Sequence, residues 1–208
     1  MPSEEYALAR GNEVILRCEF KGCYGDAFTD EPKPFVGKLS DVENMPLESS
    51  TDRAVYFATL NAVFSYLGLR DSVHCKKEKP EACGKQLVKY IADNFGEKVV
   101  VAHIGYQPGQ VEACTKLFKN YVTDLNPKNI GKRKFGCKIL GGNKNKEVIE
   151  KADVASITGS TIVNGSLPQL LEWCNLYRTE PIVYGVTISA AAKILKLRHY
   201  CPYARSTP

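Results

Sequence analysis

The chain has 208 residues, 44% of them apolar and 25% charged, with a formal net charge of +5. That length can bury a core in one large domain or two small ones, and no stretch approaches the ~18 uninterrupted apolar residues of a membrane span. The opening MPSEEYALARGNE carries an acidic pair and no apolar segment of the kind a secretory leader needs, so a cytoplasmic protein without a membrane partner is expected.

Residues 13–20 read as a strand, and Gly- and Pro-punctuated strand-like pieces follow as far as residue 42. Cys18 and Cys23 flank a glycine-containing turn and read as structural. Residues 52–67 (DRAVYFATLNAVFSYL) are apolar nearly all round, follow a Ser-Ser-Thr-Asp capping region and stop at Gly68, which describes a buried helix. A second helix over residues 80–95 has Pro in its first turn and ends at Gly96, with Leu87, Tyr90, Ile91 and Phe95 on one face. Strands followed by helices make residues 1–96 a small α+β domain.

From residue 97 short apolar strands alternate with helices. KVVVAHIG, YVTDLN, DVASITG and PIVYGV read as strands; GQVEACTKLFKN, NKEVIEK, SLPQLLEWCNL and ISAAAKILKL read as helices. That alternation predicts an α/β domain over residues 97–208, a Rossmann-like parallel sheet with right-handed crossovers. Residues 128–146 hold seven Lys/Arg and no acid. They read as a solvated connection or as a strip facing phosphates; no nucleic-acid motif accompanies them, so nucleic acid is not expected as a partner.

Ligands of open parallel sheets bind beyond the carboxyl ends of the strands. Here those ends are polar or glycine-rich: Gly105-Tyr106-Gln107-Pro108-Gly109, then Asp124, then the long turn from Thr158, then Gly185, Thr187 and Ser189. Gly105 and Asp124 stand close to the ~20 residues that separate a phosphate turn from a ribose-binding acid, although GxGxxG is incomplete. Asp124 reads equally as an acid that caps the strand end. The turn TGSTIVNGS is longer than the ~2–6 residues usual between strand and helix. Ser166 and Gln169 form a capping-box pattern, and Gly159, Asn164 and Gly165 permit positive φ. Main-chain N–H groups with the hydroxyls of Thr158, Ser160 and Thr161 would favour a carboxylate or phosphate, against a purely structural turn.

Metal ligands are the other candidate chemistry. His74, Cys75 and Cys83 lie before the second helix, and His199 and Cys201 close the chain; imidazole and thiolate suit zinc, iron or copper. Cys83, in a helix's first turn, is alternatively a reactive thiol of lowered pKa. No CxxC pair occurs among the eight cysteines, so free thiols are the default, with Cys114, Cys137 and Cys174 in or near the core. His103, within an apolar strand, reads as a core histidine.

IGYQPGQVEA, DLNP, ADVASITGSTIVNGSLPQLLE, PIVYGVTISAAAKIL and HYCPYA together resemble a domain family of unknown function labelled "putative heavy-metal chelation", over residues 98–203. VGKLSDV and DRAVYFATLNAVFSYLG look like the smaller, enolase N-terminal-like domain that accompanies it. The resemblance implies a site in the cleft between the domains, bordered by Gly105, Gln107, Thr158, Ser160, Asn164 and Thr187. Three functions stay open: a handler of a metal ion, metal complex or small anionic ligand; an enzyme with a nucleotide-like cofactor (a methyl donor or nicotinamide compound); and a non-catalytic small-molecule sensor linked to transport. Base rates allow a homo-oligomer.

Overall fold

A computed structural model describes residues 13–75 and 80–208. Residues 1–12, where no secretory leader was expected, and the connection 76–79 between Cys75 and Cys83 lie outside the described residues. Elements follow in chain order: β1 (Val14–Phe20), β2 (Cys23–Thr29), α1 (Leu39–Glu43), α2 (Ser50–Tyr66), α3 (Pro80–Phe95), β3 (Val100–Ile104), α4 (Pro108–Leu117) and β4 (Lys119–Asp124). Then come β5 (Arg133–Lys134), β6 (Cys137–Gly141), α5 (Asn145–Glu150), β7 (Val154–Thr158), α6 (Ser160–Val163), α7 (Leu167–Tyr177), β8 (Glu180–Tyr184), α8 (Ser189–Ile194) and β9 (Arg198–Tyr200). No helix among the described residues is long and apolar enough to cross a membrane.

Seven strands form a mainly parallel sheet in the order β5-β6-β4-β3-β7-β8-β9, the α/β Rossmann-like architecture expected. The central strand β3, VVAHI, is buried on both faces, as parallel strands covered by helices must be. By density of contacts the described chain forms two compact units. One takes residues 80–158 and 169–182; the other takes 13–75, 159–168 and 183–208.

The unit with β3 is held by very close backbone approach. Leu87 and Ile91 of α3 are fully buried, while Tyr90 and Phe95 are half-buried. A Cβ on Gly84 of α3 would sit 2.1 Å from the carbonyl oxygen of Gly109, at the start of α4, so the two helices touch main chain to main chain. Gly84→Ala is therefore expected to cost about 1–3 kcal/mol by overpacking, read as a lowered urea midpoint with an unchanged slope. Under α4, Val111, Val122 and Ile139 form a buried cluster with Tyr106 and Cys137 packed against it.

The other unit starts with a hairpin. Lys21 (φ 50) and Gly22 (φ 78) make a two-residue turn that sets β1 and β2 in register, Phe20 opposite Cys23. Ser49 caps α2 by accepting from the Asp52 N–H, and the helix ends at Leu67 before Gly68 (φ 66). Its buried face is small (Ala54, Val55, Ala58, Ala62) because β2 lies against it: a Cβ on Gly25 would meet the Ala62 nitrogen at 2.2 Å. The helix is not buried all round, since Tyr66 and Leu67 at its end stand in solvent.

Several expectations need correction. The strand-like material up to residue 42 ends at Thr29, and residues 39–43 are helical. Residues 128–146 are more than a connection: they supply β5 and β6, and β6 pairs with β4 through Ile139, which is fully buried. Lys144, one of that stretch's cations, is neutralised by Glu147. The long turn after β7 contains the one-turn helix α6. The capping box does not form: the Ser166 N–H donates to Asn164 Oδ1, and the Gln169 amide donates to Glu172.

Candidate functional site

Register puts three expected residues on one sheet edge. Ile104 pairs with Thr123 and with Ile157, so the residues that follow, Gly105, Asp124 and Thr158, lie at the carboxyl ends of neighbouring strands. Gly105 (φ 91) turns the chain there, its N–H donating to the Thr123 carbonyl. Gln107 is the N-cap of α4, its Oε1 accepting from the Gln110 N–H at 2.6 Å. Asp124 acts in its own turn: Oδ1 accepts from the N–H groups of Leu125 and Asn126, and Oδ2 from the Asn129 side chain at 2.6 Å. Its lone pairs are largely committed before any ribose arrives.

The turn after β7 is built in the other unit. Gly159 is not in the left-handed region (φ −61), nor is Asn164 (φ −79). Gly159 is required by space, because a Cβ would stand 3.0 Å from the Tyr184 carbonyl and 3.1 Å from Ile188 Cγ2. Gly165 alone takes the positive φ expected, at 81°. Asn164 Oδ1 accepts from the N–H and hydroxyl of Ser166. Ser160 is half-buried, Thr161 is buried, and Thr187 is buried with its Oγ1 accepting from the Phe28 N–H. Thr187 is thus a strut inside the unit, where an exposed rim was expected.

One cation organises this turn. Arg53 Nε donates to the Val163 carbonyl, while Nη1 donates to the carbonyls of Leu47 and Glu48 at 2.8 and 2.9 Å. None of these partners is a carboxylate. Its Cζ and Nη2 stand 3.5 Å from where a Cβ on Gly165 would be, so glycine leaves that side of the guanidinium uncovered by a side chain. Arg53 lies in the DRAVYFATLNAVFSYLG segment, which reads only as a buried helix. Its signal in the sequence is a cation near the positive end of a helix, where acids are favoured.

The metal-ligand candidates are placed as follows. His199 in β9 has both ring nitrogens engaged: Arg70, which can only donate, makes a hydrogen bond to Nδ1 at 2.6 Å, so Nε2 carries the ring hydrogen and donates to the Gly185 carbonyl at 2.8 Å. Burial, opposed by the Gly185 bond and aided by Arg70, lowers its pKa to about 4. His74 packs edge-on against Phe28, and burial lowers its pKa as well. Cys75 and Cys201 are half-buried. Cys83 does not have a lowered pKa: burial pushes the thiol up, against a bond from Gln110 to its sulfur at 3.5 Å. Burial drives Cys114 and Cys174 to about 12, which makes them inert core thiols. None of the eight cysteines is in a disulfide. Among the described residues no three His, Cys, Asp or Glu side chains gather as a metal site. With His199 occupied on both nitrogens, the residues described do not fit a resident metal ion.

The sequence profile of a family described as "Putative heavy-metal chelation" matches residues 88–199. The chain belongs to this family, DUF364. Two DUF364 crystal structures share its fold. One, from Pyrococcus horikoshii, has 18% identity and a TM-score of 0.60, over 85% of this chain and 69% of that one. Another, from Desulfitobacterium hafniense DCB-2, has 13% identity and a TM-score of 0.58, over 88% of this chain and 75% of that one. Both are described as DUF364 proteins of unknown function, and at these identities the likeness concerns fold alone. No curated protein matches the chain.

Proposed function

We propose that this DUF364 protein binds a small anionic ligand at the turn formed by Gly159, Ser160, Asn164 and Gly165, with Arg53 as the counter-charge. The observation that carries this reading is a guanidinium held on three main-chain carbonyls, with none of its bonds spent on a carboxylate. A fixed guanidinium fork suits carboxylate and phosphate, and the positive end of the 17-residue helix α2 reinforces it. The family description joins this reading if the metal is cargo. A heavy metal held by an anionic chelator needs no protein ligands, only a site for the chelator's carboxylates.

Calorimetric titration of the full chain with inorganic phosphate, citrate and ferric citrate tests the proposal. Binding of at least one of these is expected, weakened about tenfold or more by Arg53→Gln, since a charge-assisted pair is lost. Gly165→Val, which crowds the guanidinium from its open side, is expected to act in the same direction. Absence of binding to all three probes, or an Arg53→Gln protein that binds as the parent does, overturns it.

A nucleotide-like cofactor at Gly105 and Asp124 is the second reading, and the shared sheet edge favours it. It requires Asp124 to release the donors it now holds. Thermal-shift screening with methyl-donor and nicotinamide compounds separates it from the first, because its response would depend on Asp124 and not on Arg53.

A further inference from the structure

Residues 119–151 hold nine Lys/Arg and three acids, an excess larger than the +5 of the whole chain, so the rest of the protein is slightly acidic. The fold lays part of this charge out as a row. Arg133 of β5 stands directly opposite Lys138 of β6. Ile139 pairs with Val122 and both pack in the cluster under α4, so Lys138 and Tyr121, one residue earlier on each strand, share the other face of the sheet. Lys119 lies on that face too, its ammonium 5.4 Å from the centre of the Tyr121 ring. Arg133, Lys138 and Lys119 are exposed and Tyr121 is half-buried, so this end of the face is open to solvent.

The acids of the stretch do not neutralise this row. Asp124 is used by its own turn, Glu147 is shared by Lys144 and Lys151, and Glu150 adjoins Lys151 in α5. Among the described residues no carboxylate pairs with Lys119, Arg133 or Lys138, nor with Lys128 and Lys132, which are exposed in the turn leading to β5. Lys134, opposite Cys137, belongs to the α4 side and is half-buried. Like charges directly opposite each other destabilise a strand pair. Arg133 and Lys138 therefore repel, and an anion from outside would relieve them both.

We infer that this face of the β4-β6-β5 edge binds the phosphodiester backbone of a single-stranded nucleic acid, RNA or DNA. A row of cations without acid partners on an open, flat face suits an extended polyanion. Phe135, 38% exposed in the two-residue turn between β5 and β6, puts at one end of the row a ring on which a base can stack. A lipid surface is the weaker match, because stable attachment needs an apolar anchor beside the charge. The exposed Ile130 and Leu125 lie beside Gly141 and Gly142, at the other end of β4 and β6, which leaves Phe135 alone with the cations.

Fluorescence anisotropy of a labelled strand of about 12 nucleotides, as RNA and as DNA, titrated with the full chain tests this. Binding of at least one is expected at ~50 mM salt, with log K falling against log[salt] at a slope of about 2 to 3.5, that of three to five phosphate contacts. Arg133→Gln with Lys138→Gln should weaken binding about tenfold or more and reduce the slope by about 1.4. Its thermal midpoint should be unchanged or raised, because the cross-strand repulsion is gone. Phe135→Ala should weaken binding about fivefold or more and leave the slope alone. Lys85→Gln with Lys98→Gln, which removes the same charge at exposed positions elsewhere, should bind as the parent does. If the first double variant loses its fold, Lys119→Gln with Lys132→Gln, read in the same way, decides the matter. No binding of either strand up to ~100 µM protein at that salt overturns the inference, as does an equal loss in the Lys85 and Lys98 variant. So does a loss produced by Arg53→Gln, which would assign the phosphates to the turn at Gly165, or a chain that pellets with phosphatidylglycerol vesicles and binds neither strand.

Discussion

Asn61→Ala is expected to destabilise the protein by about 3–5 kcal/mol, the range in which a buried hydrogen-bond network is broken. Asn61 is 1% exposed, and its side chain serves four main-chain groups. Nδ2 lies 3.0 Å from each of the carbonyls of Asp26, Val186 and Thr187, and Oδ1 accepts from the Ala190 N–H at 2.9 Å. Truncation takes the acceptor from the Ala190 N–H and a donor from three carbonyls, of which that of Val186 still accepts from the Ser189 N–H, and buried groups left unpaired cost more than the bonds themselves are worth. Urea unfolding at neutral pH should show the midpoint falling with little change in slope. Asn61→Asp should also be damaging, because a carboxylate cannot donate to the carbonyls. A fall of less than 1 kcal/mol for the alanine variant would show that water replaces the amide.

The second large effect is a loss of stability in mild acid. All three histidines have lowered pKa values, and burial is the first cause in each: His199 to about 4, His103 to about 3, and His74 in the same direction. In the unfolded chain a histidine takes its proton near 6.5. Between that pH and the folded value the unfolded state binds more protons, so stability falls as pH falls. The stabilisation is complete above about 6.5 and is lost progressively below it. His199 alone accounts for about 3 kcal/mol by pH 4. Carboxylates titrate mostly below pH 5, so the window from 6.5 to 5 belongs to the histidines. The urea midpoint should be flat from pH 8 to 7 and drop steeply below 6.5. His199→Gln should remove part of that slope; a midpoint independent of pH down to 5 would refute the account.

The parallel sheet was legible because strands buried on both faces read as near-continuous apolar runs, as VVAHI and VASIT do but for His103, Ser156 and Thr158. Helix α2 was legible through its Ser49 cap and Gly68 stop. β6 was not, because CKILG has its buried Ile139 set among lysines and glycines that describe an edge and a turn equally well. Four residues of α6 are too few to show a helical period. In the candidate site, the sequence showed which loops carry hydroxyls and glycines but not what each atom is spent on. Asp124 is used by its own turn, and Thr187 by the Phe28 N–H. The reverse holds for Arg53, unremarkable in the chain until the carbonyls of residues 47, 48 and 163 converge on it. His199 and Cys201 read as a ligand pair because Arg70, 129 residues away, could not be foreseen at Nδ1.

Asn61 meets three of its four partners across 125 to 129 residues of chain. A ribosome making this protein therefore releases the β1–β2 hairpin and α2 long before the segments that satisfy them exist. The hairpin and α2 can pack on each other at once, but the Asn61 amide lacks most of its partners until residues 186–190 have left the exit tunnel. Premature termination anywhere before α8 should leave a nascent product that chaperones hold and proteases remove, whatever the state of the central sheet.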